Sequence, residues 1–345
     1  MAVLNWGLGH ATRSIPIISE LIAQNFEVLL ASDGAALELL KKEFPKLQNF
    51  QLPSYNIKYS KSSTFFGLQM LLQTPHILKT IAEERKITHT LISVYRIDGI
   101  ISDNRWGIYS DNIPSVFITH QLNVISGPTT LLSSKIHQKY MERFDECWVP
   151  DNNLEPNLSG KLGHLRSTKL KIKYLSILSR FQKKELLKTI DILIILSGPE
   201  PQRSILENKV LKEFKTYEGN VILIRGIIEQ EQKMEQIENI SIYNFMQSKE
   251  LEDCLNSSKL VISRSGYTTL LDLAKLDKKA FFIPTPGQPE QEYLAKRLKD
   301  LHIANSCKQK DFNLTMLDTN EEYKGLIHYR STNDLSGLFT LFQRE

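Results

Sequence analysis

Short, wholly apolar runs alternate along this chain with longer stretches whose apolar residues recur every three or four positions. Met1–Asn5 reads as a short first strand and Glu27–Ala31 as a second. Between them lies a helical pattern with Ile17, Ile18, Leu21 and Ile22 on one face. Ser14 and Pro16 have the look of its N-cap and first turn. Ala35–Lys42 is a second helical pattern, and strands recur at Gly99–Ser102, Ser115–Thr119 and Cys147–Pro150. The rhythm then restarts. Asp191–Leu196 and Val221–Ile224 are apolar throughout, as expected of strands covered on both faces, and Leu260–Ser263 and Ala280–Pro284 follow. Helical patterns fall at Gln202–Phe214, Glu250–Asn256, Thr268–Lys275 and Glu290–Lys299. Strands separated by helices predict parallel βαβ units, and two runs of them predict an α/β chain of two doubly wound domains. The stretch Asp151–Lys173 is polar and strand-poor, with Pro156, Gly160 and Gly163 as breakers. We therefore expect a first domain over 1–165, a linker over 166–181 and a second domain over 182–345, whose final segment packs back on the first. In such sheets ligands bind at the carboxyl ends of the strands, so the expected site is a cleft that the two domains face.

A length of 345 residues accommodates two domains, and 41% hydrophobic with 24% charged residues is globular composition. No apolar run approaches the roughly 20 residues of a membrane-spanning helix. Nothing resembles a signal peptide, and the three scattered cysteines fit a reducing cytoplasm rather than a disulfide framework or zinc site. The net charge of +4 is too small and too dispersed for a nucleic-acid face, so no nucleic-acid partner is expected. Such an excess suits either a soluble enzyme or one that approaches anionic lipid at the inner face of a membrane.

The chemistry concentrates in two places. Ser263–Tyr293 runs as strand end, glycine turn, helix, buried strand and polar loop. A nucleoside diphosphate sugar needs a carboxylate for its two ribose hydroxyls, N–H donors for its phosphates and fixed polar groups for its sugar. Ser265 and Gly266 allow close backbone approach at the strand end. Thr269 and Asp272, three apart in the next helix, share a face, with Asp272 as the ribose candidate. Gln288, Gln291 and Glu292 follow the next strand as sugar candidates. Singly, each of these is also readable as a solvated helix residue; their order along the chain is what argues for a donor pocket.

The second place is Gly7–Arg13, a glycine turn before the first long helix. His10 there is placed to take a proton from an attacking hydroxyl, with helix capping or phosphate contact as its alternative roles. Asp103, Asn104 and Arg105 end one predicted strand, and His120 and Gln121 end another. Asp103 is a candidate partner of the base, although Asp-Asn-Arg is equally readable as a helix cap with a local ion pair. With Gly9, the residues Asn104, Arg105, His120 and Gln121 are candidate acceptor contacts. Tyr59–Lys86, with Phe65, Phe66, Leu68, Met70, Leu71 and Leu72, reads either as a buried helix or as a lipid-facing surface. No Asp-x-Asp follows a strand in the manner of metal-dependent transferases, so neither a metal nor a cofactor is expected.

Val261–Ala295 closely resembles the C-terminal domain of the MurG-type family 28 glycosyltransferases. That family's Arg-Ser-Gly, Thr, acidic ribose ligand, Pro and Gln-Gln-Tyr pattern is met by Arg264-Ser265-Gly266, Thr269, Asp272, Pro284 and Gln291-Glu292-Tyr293. Asp272 stands where the family has Glu, and Glu292 replaces its second Gln. The Gly-Gly-Ser-Gln-Gly phosphate loop of the family corresponds to Leu196-Ser197-Gly198-Pro199-Glu200-Pro201-Gln202, with one glycine left, and Arg180 or Arg203 is the candidate compensating cation. The N-terminal turn is similar to the family's Gly-x-Gly-Gly-His. It is similar also to the Gly-x-Gly-His-x-x-Arg turn of a UDP-sugar hydrolase of pseudaminic acid synthesis. Against the family the first strand is short, as if its start were clipped. The resemblance implies a GT-B fold of two Rossmann-like domains. It also implies inverting, metal-independent transfer of an N-acetylhexosamine from a UDP-sugar to a lipid-linked or polysaccharide acceptor, with contact at the membrane periphery. A UDP-sugar hydrolase and a non-catalytic nucleotide-sugar or glycan binder are the alternatives.

Overall fold

The computed structural model describes residues 1–56, 66–125, 129–227, 229–327, 329, 335 and 337–343. They divide into two compact units. One comprises the chain up to Leu178 together with the C-terminal stretch Ser331–Glu345, the other Ser179–Arg330.

The first unit is built on a parallel sheet of seven strands in the order β3-β2-β1-β4-β5-β6-β7. Its strands are β1 (Ala2–Val3), β2 (Leu30–Ser32), β3 (Asn49–Gln51), β4 (Ile100–Asp103), β5 (Ser115–Ile118), β6 (Glu146–Val149) and β7 (Ile172–Tyr174). Helix α1 (Gly9–Ala23) leads from β1 to β2 and α2 (Gly34–Glu43) from β2 to β3. The long α3 (Phe66–Tyr95) leads to β4, and α4 (Thr130–Met141) lies between β5 and β6. Val3, Ile17, Ile18, Leu21, Ile101 and Trp148 meet in one core, and Leu338 and Phe339 of the C-terminal stretch are buried in it. Phe342 packs over Gly99, where a Cβ would clash with its ring.

The second unit repeats the plan with strand order β10-β11-β9-β8-β12-β13-β14. Its strands are β8 (Ile190–Ile195), β9 (Val221–Ile224), β10 (Met234–Ile237), β11 (Ile240–Tyr243), β12 (Ser258–Ser263), β13 (Lys279–Phe282) and β14 (Asn305–Ser306). The hairpin β10–β11 is antiparallel and the remaining pairs are parallel. Helices α5 (Gln202–Glu213), α6 (Ser248–Ser257), α7 (Tyr267–Lys275) and α8 (Pro289–Asp300) complete it. Both sheets reverse direction of growth beside their first strand, β1/β4 in one and β8/β12 in the other. Those reversals open the crevices in which doubly wound sheets bind ligands.

Three features depart from the sequence expectation. Helix α1 begins at Gly9, so Ser14 and Pro16 lie inside it. The Ser14 hydroxyl donates to the His10 carbonyl at 2.8 Å and so is turned back along the helix instead of capping it. The expected linker contains β7, which pairs with β6 in the first sheet. The Tyr59–Lys86 run lies largely in α3, but 57–65 and the side chains of 66–72 fall outside the described residues, as does its lipid-facing reading.

Candidate active site

The β1–α1 turn and the end of β4 flank the switch point of the first sheet, and they bring His10 and Asp103 together. Nδ1 of His10 lies 2.7 Å from Oδ1 of Asp103. Arg13, one helical turn beyond His10, donates Nε to Asp103 Oδ2 at 2.6 Å, and its Nη2 pairs with Oδ1 as well. Ser14 Oγ adds a weaker bond to Oδ2 at 3.3 Å. Burial alone would raise the Asp103 pKa, but the Arg13 charge, then His10 and the hydrogen bonds from both, hold it at about 2. Asp103 is therefore an anion at any working pH. An ionised carboxylate only accepts, so the 2.7 Å contact assigns the ring proton to Nδ1 and leaves the lone pair on Nε2. Arg13 Nη2 also lies 2.9 Å from Nδ1, a donor facing a donor that the shared carboxylate between them offsets. Burial, and then Arg13, lower the His10 pKa against the opposing pull of Asp103, so the ring is neutral at pH 7. With 12% of its side chain exposed, His10 is the one member of this group that reaches solvent, since Arg13 and Asp103 are fully covered.

Arg13 is one residue that sequence reasoning missed. Its Nη1 also meets His120 Nδ1 at 2.9 Å, so one buried guanidinium fixes His10, Asp103 and His120 together. The spacing of three from His10 on a helix was the available signal. His120 is buried. Gln121 is half-buried, and its backbone N–H donates to Thr119 Oγ1 at 3.0 Å. Asn104 adopts φ 59° just after Asp103, and its Oδ1 is buried with no hydrogen-bond partner. Gly9 is the first residue of α1. Arg105 is a correction. It is fully buried, donates to Glu84 Oε1 at 2.6 Å and to Asp33 Oδ1 at 2.7 Å, and also holds the Val3 and Pro53 carbonyls. Its charge is spent inside the fold and cannot meet an acceptor.

In the second unit the candidates gather at the carboxyl ends of β8, β12 and β13. Gly266 caps α7 in an extended conformation, and a Cβ there would meet only Thr269 Oγ1, at 3.9 Å. The surface above Gly266 is thus open to a ligand. Gly198 has φ 97°, which favours glycine, and packs towards Thr285, whose Oγ1 would lie 3.4 Å from a Cβ. Asp272 is half-buried and accepts from Ser179 Oγ at 2.6 Å through Oδ1. Burial raises its pKa to about 6, against the lowering effects of Arg180 and Ser179. Ser179, unflagged by the sequence, and Arg180 thus flank the candidate ribose carboxylate.

Other candidates brace the pocket instead. Ser265 is buried and donates to the Gln291 carbonyl at 2.7 Å, so its hydroxyl is not open to a donor. Gln291 accepts from the Thr285 N–H at 2.8 Å and donates to Gln288 at 2.6 Å, while Glu292 accepts from the Gly287 N–H at 3.2 Å. These side chains shape the loop after β13. Arg203, the alternative phosphate cation, is paired with Glu200 and Glu207. Among the described residues no three His, Cys, Asp or Glu side chains converge as metal ligands, and no helix is long and apolar enough to cross a membrane.

Residues 195–321 match the glycosyltransferase family 28 C-terminal domain. The UDP-N-acetylglucosamine–N-acetylmuramyl-(pentapeptide) pyrophosphoryl-undecaprenol N-acetylglucosamine transferase of Haemophilus ducreyi is 24% identical over 321 residues, 88% of this chain and 83% of its own. Among solved structures, a kitacinnamycin glycotransferase aligns with a TM-score of 0.62 at 13% identity, covering 93% of this chain and 88% of its own. MurG of Acinetobacter baumannii aligns at 0.56 and 15%, covering 94% and 91%. The chain is a glycosyltransferase of the GT-B fold, with two Rossmann-like units. It is MurG-like, and the match to the family 28 C-terminal domain falls within its second unit.

Proposed function

We propose that the chain transfers an N-acetylhexosamine from a UDP-sugar to an acceptor hydroxyl with inversion and without a metal. The second unit holds the donor, with Asp272 on the ribose and the Gly198 and Gly266 backbones beside the phosphates. Nε2 of His10 takes the proton from the acceptor hydroxyl. The resulting oxygen attacks the anomeric carbon as the bond to the diphosphate breaks, and UDP leaves with the electron pair. The observation that carries this reading is the 2.7 Å His10–Asp103 contact, with the carboxylate held ionised by Arg13. It leaves a neutral imidazole with its free lone pair on Nε2. Asn104, His120 and Gln121 are the proposed acceptor contacts. The Haemophilus ducreyi relative is named for a lipid-linked acceptor. By that likeness we assign this chain a lipid-linked acceptor and a place at the cytoplasmic membrane periphery.

The test is product formation from UDP-N-acetylglucosamine, with and without a lipid-linked muramyl acceptor. His10→Ala is expected to lower kcat about 10²–10⁴-fold with UDP affinity unchanged. Near-normal turnover by that variant would remove the base assignment. Sugar release as fast without acceptor as with it would make the protein a hydrolase.

A further inference from the structure

Beneath the candidate donor loops the second unit buries a positive charge that no carboxylate meets among the described residues. Arg264 directly follows β12 and is 1% exposed. Its Nη1 donates to the Ile283 carbonyl at 3.0 Å and the Pro284 carbonyl at 3.3 Å. Its Nη2 donates to the Gln202 carbonyl at 2.9 Å and to Gln309 Oε1 at 2.6 Å, and Nε is buried with no partner. All four acceptors are neutral. Among the described residues the other fully buried guanidiniums are those of Arg13 and Arg105, and each meets carboxylates. Among the described residues no carboxylate pairs with Arg264, and burial alone brings its pKa down to about 10, which still leaves it charged. A buried ion without an opposite charge is strongly unfavourable, so this charge calls for a counter-ion.

Its position indicates which one. Ile283 and Pro284 lead from β13 into the loop that Gln291 braces, and Gln202 opens α5 immediately after the Gly198–Pro201 turn. The Gly198 turn packs towards Thr285 in that same loop. Arg203, in the first turn of α5, is already paired with Glu200 and Glu207. The geometry points to Arg264 as a positioning residue for the diphosphate of the donor. It ties the exits of β12 and β13 to the start of α5, and a nucleoside diphosphate bound over those exits supplies the negative charge that the interior lacks. This rests on the donor reading above.

Titration calorimetry of the full chain with uridine and with UDP separates the two parts of the ligand, and the informative quantity is the ratio of the two dissociation constants. In Arg264→Gln the preference for UDP over uridine should fall about tenfold, and Arg264→Lys should retain part of it. Gln309→Glu keeps the guanidinium and places a carboxylate at its 2.6 Å partner position, so it should cut the preference similarly without stranding a charge. An unchanged ratio in Gln309→Glu overturns the proposal. So does a parallel loss of uridine and UDP affinity in folded Arg264→Gln, which would mark a purely structural arginine. A wild-type protein that binds neither ligand would remove the donor reading itself before any variant is made.

Discussion

Two aspartates of the same intrinsic acidity are driven in opposite directions here. Asp103 faces a buried guanidinium and an imidazole and is held at about 2, whereas burial raises Asp272 to about 6 despite Arg180 and Ser179. The first is a fixed anion whose work is to orient His10; the second titrates close to neutral pH. In the proposed ribose site the hydroxyls would donate to the ionised form of Asp272, and that form grows as pH rises through 6. Affinity should therefore be full above about pH 7 and decline as pH falls through 6, by up to tenfold per unit. Uridine is the right probe, because it has no phosphate to titrate in that range. Asp272→Asn should bind uridine about 10–100-fold more weakly at pH 7.5 and lose the pH dependence between 5 and 7. A variant that keeps wild-type affinity would take Asp272 out of the ribose site.

At the scale of elements, what could be read from the chain depended on how local the cause was. Val221–Ile224 needed only its own apolar run, and the structure has a strand over those residues. The start of α1 misled because Ser14 and Pro16 mimic a cap locally, while the hydroxyl is claimed by the His10 carbonyl of the same helix and by the remote Asp103. The strand β7 has only Ile172 and Tyr174 to mark it, and its pairing with β6 is a long-range fact. Asp103 was legible as a strand-end acid; the partner that makes it useful, Arg13, becomes evident only when α1 is laid against β4. Arg105 failed as a site residue for the same reason. Its partners Glu84, on α3, and Asp33, before α2, are remote in sequence. It acts as a clamp joining α3, the β1 exit and the α2 entry. Arg105→Ala strands two buried carboxylates and should cost about 3–5 kcal/mol of stability in urea titrations. Uridine binding by the second unit should be unaffected. An Arg105→Ala protein of normal stability but with a raised acceptor KM would restore the acceptor role.

At the scale of the molecule the chain is not partitioned in sequence order. After completing the second unit it returns to the first, and Leu338 and Phe339 enter a core with Val3, Ile17, Ile101 and Trp148. The Phe339 ring lies 5.8 Å from Phe26 and 6.0 Å from Trp148, and Phe342 fills the space over Gly99. The first sheet therefore forms most of its core from residues near the N-terminus yet is completed by the last ones. Removing one buried phenylalanine side chain typically costs about 3–5 kcal/mol, and a whole domain commonly has about 5–15. Ending the chain at Arg330 should bring the first unit to the edge of unfolding while leaving the second intact. Scanning calorimetry with and without UDP can tell the two apart, because a ligand of the second unit raises only that unit's transition. In the truncated chain the UDP-responsive transition should keep its temperature, and the other should fall by about 10 °C or more. Phe339→Ala should give a smaller fall in the same transition. If both transitions drop together, or neither moves, the C-terminal stretch does not complete the first unit in solution.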